Sequence, residues 1–414
     1  MLKVLHTADW HIGQTFYDYD RTFEHQQFLN WLVDTITTKE VDVILMSGDV
    51  FDVSNPAAAS VSIFYKFLVS VTRARPNLQV IITAGNHDAP ARLEAPNPFF
   101  EFYNIHIVGN VQRKHDGTFD YEKLVIPIKN KEGKIDAWCI AIPFLRPGDY
   151  PVVEGTESQY ARGVVALYKA ALDYVLTKQQ KGQPVIAMGH LHILNAEISA
   201  EDKNERAIMG GVEFIPVSAF DESIAYTALG HIHKAQRIGG RENVRYSGSP
   251  LPMSFSEINY KHQVILFDLV NEQAQNIHSL EIPVSVRLIR VPGKPKKLSE
   301  VLDELALLPE TGIYTIEAAP YLEVRVQLDG PEPSLRHKIE TALINKHVRF
   351  AKIEVNYPAG NEQGEAVLSF DSLHQMQPIT VFNKIYQSRF DSLPPDELIQ
   401  LFNQVTQQLS IKES

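Results

Sequence analysis

Five short polar clusters, each directly after an apolar run, are the feature that most constrains the fold of this 414-residue chain. The apolar runs predict β-strands, and those ahead of the clusters lie at residues 2–5, 41–46, 80–82, 185–188 and 226–229. The clusters are Asp9-Trp10-His11, Gly48-Asp49-Val50-Phe51-Asp52, Gly85-Asn86-His87-Asp88, Gly189-His190 and Gly230-His231-Ile232-His233. Ligands of open α/β sheets bind beyond the carboxyl ends of the strands. We therefore expect these five loops to converge on one crevice.

Helical patterns alternate with the strands over the first part of the chain, as in βαβ units. Apolar residues recur at helical spacing around residues 28–36 and 64–71, whereas later apolar runs have fewer helices between them. This favours an α/β fold with two sheets in a sandwich over a simple doubly wound sheet. The polar stretch over residues 195–213 predicts an irregular excursion beside the site.

The chain is long enough for two or three domains. We expect a catalytic domain over residues 1–278, a smaller α+β cap domain over 279–356, a linker over 357–377 and a C-terminal helix pair over 378–414. In the cap domain, patterns predict strands at 284–291, 321–328 and 348–355 and helices at 297–308 and 332–344. The segment Val291-Pro292-Gly293-Lys294-Pro295 predicts a hinge that ends the first strand. We interpret Lys294, Lys296 and Lys297 as solvated.

The C-terminal segment predicts two short amphipathic helices after a flexible linker. Val381, Phe382, Ile385 and Tyr386 share one face, and Leu398, Leu401, Phe402, Val405 and Leu409 share another. Such a pair either folds back on the main domain or binds a helix of a partner protein. We favour binding to a partner protein.

Composition does not point to nucleic acid, because the formal net charge is −11. Residues 284–355 hold 11 Lys and Arg against 10 Asp and Glu, a net of +1. The single cysteine, Cys139, excludes an internal disulfide and fits a reducing compartment. The sequence shows no secretory signal or membrane span, so we expect a cytoplasmic protein.

The residue types in the clusters predict a site for two divalent cations. Two ions about 3.5–4 Å apart need a bridging ligand, and Asp49 is the natural carboxylate bridge. Asp9, His11 and one late histidine would complete one site, and Asn86, His190 and the other late histidine the second. Mixed imidazole and oxygen ligands favour manganese, iron or zinc over magnesium or calcium, and we expect manganese.

His87 is not needed as a metal ligand, so it is available for proton transfer. Such a pair of ions activates water for in-line attack on phosphorus. His87 would donate a proton or hydrogen bond to the leaving oxygen, with Asp88 orienting its ring or raising its pKa. The sequence thus predicts a metal-dependent phosphoesterase.

The set of clusters resembles the calcineurin-like metallophosphoesterase superfamily. Longer segments are similar to the nuclease subunits of bacterial double-strand-break repair complexes. They are Leu5-His6-Thr7-Ala8-Asp9-Trp10-His11-Ile12-Gly13-Gln14, Ser47-Gly48-Asp49-Val50-Phe51-Asp52, Ile142-Pro143-Phe144-Leu145-Arg146-Pro147 and Tyr246-Ser247-Gly248-Ser249-Pro250-Leu251-Pro252. The resemblance covers about the first 270 residues, and beyond them chiefly the layout of a cap and a helix pair.

The resemblance implies a ligand set and an activity. One metal would take Asp9, His11, Asp49 and His233, the second Asp49, Asn86, His190 and His231, with His87 as the transition-state histidine and Asp88 as its partner. It implies an ATP-stimulated 3′–5′ exonuclease on double-stranded DNA ends and an endonuclease on single strands and hairpins. Manganese would be the cofactor, and the roles would be DNA repair, recombination and replication. A homodimer would assemble with two copies of an SMC-family ATPase. The C-terminal helices would bind the base of the coiled coil of that ATPase.

Several neighbouring residues have a plainer interpretation. We interpret His192 as structural or supporting, His6 as a hydrogen-bonded core residue, and Arg21 and His25 as solvated helix residues. Asp52 has two open interpretations: a support for a ligand histidine or a DNA contact, and a carboxylate at a helix N-terminus.

Two other functions compete with a DNA nuclease. A phosphomonoesterase or small-molecule phosphodiesterase would use the same metals, but it needs neither a cap domain nor a helix pair. A non-catalytic scaffold would have lost ligands, whereas this sequence keeps all seven and His87.

Overall fold

The computed structural model describes residues 1–155, 158–198, 214–310 and 315–357, with isolated positions between 379 and 402. Most of the predicted excursion at 195–213, the linker after residue 357 and most of the helix pair at 378–414 lie outside the described residues. Among the described residues, no helix is long and apolar enough to cross a membrane.

The strands and helices follow one another as the apolar patterns predict. The strands are β1 (Leu2–Thr7), β2 (Thr15–Phe16), β3 (Tyr19–Asp20), β4 (Val43–Ser47), β5 (Gln79–Thr83), β6 (Ile105–Val108), β7 (Val125–Lys129), β8 (Ile135–Ala141), β9 (Val185–His190), β10 (Ile224–Gly230), β11 (Gln236–Ile238), β12 (Arg241–Tyr246), β13 (Gln263–Val270), β14 (Gln273–Glu281), β15 (Leu288–Lys297), β16 (Tyr321–Gln327) and β17 (Arg349–Asn356). The helices are α1 (Thr22–Thr38), α2 (Ala58–Ala74), α3 (Pro90–Glu94), α4 (Asn97–Phe100), α5 (Tyr121–Leu124), α6 (Gln159–Leu176), α7 (Leu298–Ala306) and α8 (Leu335–Ala342). Short 3-10 turns lie at Glu101–Tyr103, Val217–Ala219, Phe255–Glu257 and Ile316–Ala318.

Two six-stranded sheets pack face to face, which confirms the predicted sandwich. The first has the order β14-β13-β1-β4-β5-β6 and the second β11-β12-β10-β9-β8-β7. Strands β1, β4, β5 and β6 are parallel, as are β8, β9, β10 and β12. Their near-continuous apolar sequences suit strands that are covered on both faces.

The helices cover the outer faces of the sandwich. Phe28, Leu32, Phe64 and Phe67 of α1 and α2 pack in one cluster with β1, β4 and β5. The buried face of α6 packs in the larger cluster with residues of β8, β9 and β10, and Ser158 caps its N-terminus by accepting a hydrogen bond from Ala161 N. The apolar spacing thus fixes which face each helix buries.

The cap domain is a parallel three-stranded sheet in the order β15-β16-β17, packed against α7 and α8. The predicted hinge is wrong, because β15 continues to Lys297. Its pairing with β16 is interrupted between Val291 and Lys296 and then resumes. Prolines lack an N–H donor but are tolerated on an edge strand, which β15 is.

Arg21 and His25 are buried, so their interpretation as solvated helix residues is wrong. The Arg21 guanidinium donates to Glu24 at 2.7 Å, to the Gln14 side chain at 2.6 Å and to the Pro252 carbonyl at 2.7 Å. Only Pro252 is distant in sequence, and a helical pattern does not reveal that its loop covers Arg21.

His6 is a core residue, as predicted. Its Nε2 lies 3.2 Å from the Leu229 carbonyl and its Nδ1 lies 3.0 Å from the Tyr226 hydroxyl, so it joins the two sheets. Burial lowers the pKa of His6 from 6.5 to about 3, against the opposing effect of the Leu229 hydrogen bond. Because the folded pKa is depressed, the stability that neutral His6 contributes is present above pH 6.5 and is lost as the pH falls towards 3.

Replacing His6 with glutamine should flatten the pH dependence of stability. Between pH 6.5 and 5 the wild-type protein should lose about 2 kcal/mol of unfolding free energy that the variant keeps. Urea unfolding followed by tryptophan fluorescence measures this difference. The matched control is His115→Gln at an exposed loop position, which should retain the wild-type slope. Equal slopes for His6→Gln and the wild-type protein would contradict the assignment.

Candidate metal centre

The five polar clusters meet where the central strands of both sheets end. The first three clusters follow β1, β4 and β5 of one sheet, and the other two end or follow β9 and β10 of the second sheet. Asp9, His11 and Asp49 have left-handed backbone conformations, with φ of 55°, 46° and 50°. Such conformations are uncommon for non-glycine residues and concentrate at functional sites.

Backbone contacts hold these loops close together. Asp9 N donates to Gly48 O and His11 N donates to Asp49 O, both at 3.0 Å. A side chain on Gly48 would collide with the ring of His190, and one on Gly85 would collide with Asp49. Glycine at these two positions therefore allows ligands from both sheets to approach one point.

Asp49 lies at the centre of the site. Its Oδ1 accepts a hydrogen bond from His87 N at 2.9 Å. Its Oδ2 lies 3.1 Å from His190 Nε2 and 3.7 Å from His11 Nε2. One carboxylate oxygen thus faces both histidines that the sequence assigns to different metals, which is the geometry a bridging ligand needs.

The donor atoms of Asp9, His11 and His233 form one group within 4.8 Å of one another. Asp9 Oδ2 and His11 Nε2 in this group are buried and have no hydrogen-bond partner. A buried polar atom without a partner costs free energy. A cation at this point would satisfy both atoms, so the residues present fit a metal.

A second donor group includes Asp49 itself. Asp9, Asp49 and His190 also have donor atoms within 4.8 Å of one another. Asn86 Oδ1 lies 2.9 Å from His190 Nε2 and 3.0 Å from His231 Nδ1. Asn86, His190 and His231 therefore converge as the sequence predicts, and all seven predicted ligands lie in one centre.

The carboxylates at the centre of the site favour positive charge beside them. Burial alone would lower the pKa of His190, but the carboxylates of Asp49 and Asp9 outweigh it and raise the pKa to about 9. Burial raises the pKa of Asp9, although the nearby histidines oppose the shift. In the protein alone a proton on His190 balances the carboxylates, and divalent cations would take over that role.

Asp52 supports a proposed ligand. Its Oδ1 lies 3.2 Å from His11 Nδ1, which leaves His11 Nε2 pointing at Asp49. The interpretation as a helix N-terminal carboxylate is wrong, because α2 begins only at Ala58. A carboxylate on the second ring nitrogen fixes the tautomer and orientation of a metal-binding histidine.

His87 lies beside the ligands with its ring centroid 4.8 Å from that of His11. Its Nδ1 lies 2.7 Å from the backbone carbonyl of Asp52, and this contact orients the ring. The expected partner, Asp88, has a different role: its carboxylate accepts hydrogen bonds from Gly85 N, Phe51 N and Val50 N at 2.9–3.2 Å.

Asp88 thus ties two ligand loops together. Burial, and then the charge of Asp49, raise its pKa to about 6, while its three hydrogen bonds oppose the shift. The sequence identified the residue but not its contacts, because backbone donors from a loop nearly forty positions away leave no pattern.

The sequence analysis missed Glu257. This buried carboxylate has its Oε1 3.5 Å from His233 Nδ1 and lies in a 3-10 turn that follows no strand pattern. A third donor group among the described residues contains His11, Asp52 and His87, and His192 lies outside all three groups. Its ring packs against Phe214 and His231, with centroids 5.0 and 6.0 Å away.

Comparison with known proteins agrees with this geometry. Residues 2–235 match the calcineurin-like phosphoesterase family, to which the chain belongs. Residues 284–390 match the family described as type 5 capsule protein repressor C-terminal domain.

Three relatives bear the name of the SbcD subunit of the nuclease SbcCD. The Rhodobacter capsulatus protein is 35% identical over 86% of this chain and 88% of its own length. The Escherichia coli K12 protein is 29% identical over 92% of both chains, and the Bacillus subtilis protein 30% identical over 64% of this chain and 66% of its own. Among the calcineurin-like enzymes, the chain is therefore of the SbcD type, a metal-dependent nuclease subunit.

Removing His190 should disrupt metal binding, whereas removing His192 should not. His190→Gln takes away a proposed ligand and should weaken Mn²⁺ binding by more than the 10- to 100-fold typical of a lost supporting contact. Isothermal titration calorimetry measures the affinity and stoichiometry. His192→Gln, a buried histidine two positions later, is the matched control. An equal loss of Mn²⁺ affinity in the two variants would refute the assignment of His190 as a ligand.

Proposed function

We propose that this chain is the nuclease subunit of a DNA end-processing complex and hydrolyses DNA phosphodiester bonds with two metal ions. The observation that carries the proposal is the pair of adjoining donor groups that contain Asp9 and Asp49, with His87 beside them. The names of the relatives supply the nuclease class. The proposed activities are ATP-stimulated 3′–5′ exonuclease on duplex ends and endonuclease on single strands and hairpins.

The proposed ligand sets are those the sequence resemblance implied. Asp9, His11, Asp49 and His233 would hold one ion, and Asp49, Asn86, His190 and His231 the other. Bound divalent ions neutralise phosphate charge and make water nucleophilic at neutral pH. Nitrogen and oxygen ligands with no cysteine suit manganese, which we propose as the native metal.

Each supporting residue then has a part in the reaction. Asp52 keeps His11 Nε2 directed at the metal position. The Asp52 carbonyl accepts a hydrogen bond from His87 Nδ1–H and so orients the ring, and we propose that Nε2 delivers a proton or hydrogen bond to the leaving oxygen. We propose that Asp88 contributes to catalysis indirectly, by fixing the loop that carries Asn86 and His87.

We propose the predicted division of the chain as well. Residues 1–278 would form the nuclease domain, 279–356 the DNA-binding cap domain, 357–377 the linker and 378–414 the helix pair that docks an SbcC-like SMC-family ATPase. At the few described positions of that pair, the rings of Phe382 and Phe402 stack with centroids 4.5 Å apart, which supports two helices in contact. A homodimer within a heterotetramer and a cytoplasmic location complete the proposal.

Substrate choice separates this proposal from a small-molecule phosphoesterase. In Mn²⁺, the chain with its ATPase partner should degrade a blunt DNA duplex and open a hairpin, and ATP should accelerate both reactions. Gel analysis of end-labelled DNA measures this, beside a chromogenic phosphomonoester as the competing substrate. Rapid hydrolysis of the monoester with intact DNA would refute the nuclease proposal.

His87→Ala should slow the chemical step without releasing metal. Loss of a general acid lowers kcat by roughly 10²- to 10⁴-fold. Single-turnover cleavage of duplex DNA gives the rate, and calorimetry checks that two Mn²⁺ ions still bind. His115 is exposed and belongs to none of the five polar clusters, so His115→Ala serves as the control and should keep full activity. Full activity of His87→Ala would exclude the proposed role.

A further inference from the structure

A continuous chain of buried polar contacts leads from the cap domain to the metal centre. On the cap side, the Tyr321 hydroxyl at the start of β16 donates a hydrogen bond to Glu24 Oε1 at 2.6 Å. Arg349 Nη2, at the start of β17, lies 3.6 Å from the same oxygen. Tyr321 and Glu24 are both buried, so water does not compete for this contact.

Glu24 also contacts Arg21. Its Oε2 accepts hydrogen bonds from Arg21 Nη2 at 2.7 Å and from Arg21 Nε at 3.3 Å. Arg21 Nη1 then donates to Gln14, three positions after His11, and to the Pro252 carbonyl. Two charge-assisted hydrogen bonds to one buried oxygen hold their geometry more firmly than a surface ion pair does.

The loop at Pro252 leads directly to the metal centre. Met253, the next residue, donates its N–H to Glu257 Oε2 at 2.8 Å. The other carboxylate oxygen of Glu257 faces His233 Nδ1 at 3.5 Å. A carboxylate beside Nδ1 fixes the tautomer and orientation of a histidine, and His233 is one of the three donors grouped with Asp9 and His11.

The contact between Glu257 and His233 is buried. Glu257 Oε1 lies 3.5 Å from His233 Nδ1, and both residues are shielded from solvent. A carboxylate beside Nδ1 increases the electron-donating power of a histidine towards a cation.

We propose that Glu257 is the positioning residue for His233 and that the buried Arg21–Glu24 pair links this arrangement to the cap domain. The inference rests on the proposed function, because it takes His233 as a metal ligand. It adds that the metal affinity of the position that contains His233 depends on the contact between the cap domain and Glu24. Movement of Tyr321 away from Glu24 would change the partners of Arg21, and through Pro252 the setting of Glu257.

Two variants test the two ends of the chain of contacts. Glu257→Gln keeps the side-chain shape but removes the charge and should weaken Mn²⁺ binding at one of the two positions roughly 10- to 100-fold. Tyr321→Phe keeps the ring in its aromatic cluster but removes the hydroxyl, and should weaken the same position by roughly three- to tenfold.

The matched control is Tyr19→Phe. Tyr19 also joins the two domains through its hydroxyl, but that hydroxyl donates to the Phe350 carbonyl at 3.1 Å and not to Glu24. Its loss should leave both Mn²⁺ affinities unchanged. In the double variant, Tyr321→Phe should add little to Glu257→Gln, because residues in one network are not additive.

Calorimetry of the full-length chain gives the affinities, and the electron paramagnetic resonance spectrum of bound Mn²⁺ reports changes in ligand geometry. The inference is overturned if Glu257→Gln binds both ions like the wild-type protein, or if Tyr321→Phe behaves like Tyr19→Phe. Tyr321→Phe decides the matter even if Glu257→Gln does not fold. Failure of the wild-type protein to bind two ions would instead overturn the proposed function, and this inference with it.

Discussion

The structure depends on two buried carboxylates, Asp9 and Asp49, at the edge where both sheets end. Burial of two carboxylates a few ångströms apart is unfavourable unless positive charge lies between or beside them. Here that charge comes from histidines, and the pKa of His190 is raised accordingly. Asp9 Oδ2 and His11 Nε2 still lack hydrogen-bond partners. The rest of the site supports an arrangement that bound cations would stabilise further.

That arrangement needs a rigid frame. Parallel strands from two sheets bring loops together that are up to 222 positions apart, as in the contact of His231 N with Asp9 Oδ1 at 2.8 Å. Asp88 and the backbone bonds from Asp9 and His11 then hold the loops, while Asp52 and Glu257 hold individual histidines. The cap domain contacts Glu24, so the domain proposed to bind DNA is connected to the metal centre through Arg21 and the loop at Pro252.

The sequence predicted the strand ends and the ligand clusters because both have local signals. An apolar run followed by glycine and an acidic or imidazole side chain is visible within ten residues, and parallel topology brings such ends to one edge. The contacts of Asp88, the burial of Arg21 and His25 and the role of Glu257 have no such signal. They depend on backbone groups and on loops that only the folded chain brings together, which one sequence does not reveal. The prolines in β15 led to the wrong prediction of a hinge. An edge strand tolerates prolines, and one sequence does not show that β15 lies at an edge.

The central claim is that two cations share Asp49. Anomalous diffraction from crystals grown with Mn²⁺, at a wavelength near the manganese absorption edge, tests it directly. The account predicts two anomalous peaks about 3.5–4 Å apart, with Asp49 contacting both and His87 contacting neither. A single peak, or two peaks that Asp49 does not bridge, would contradict it.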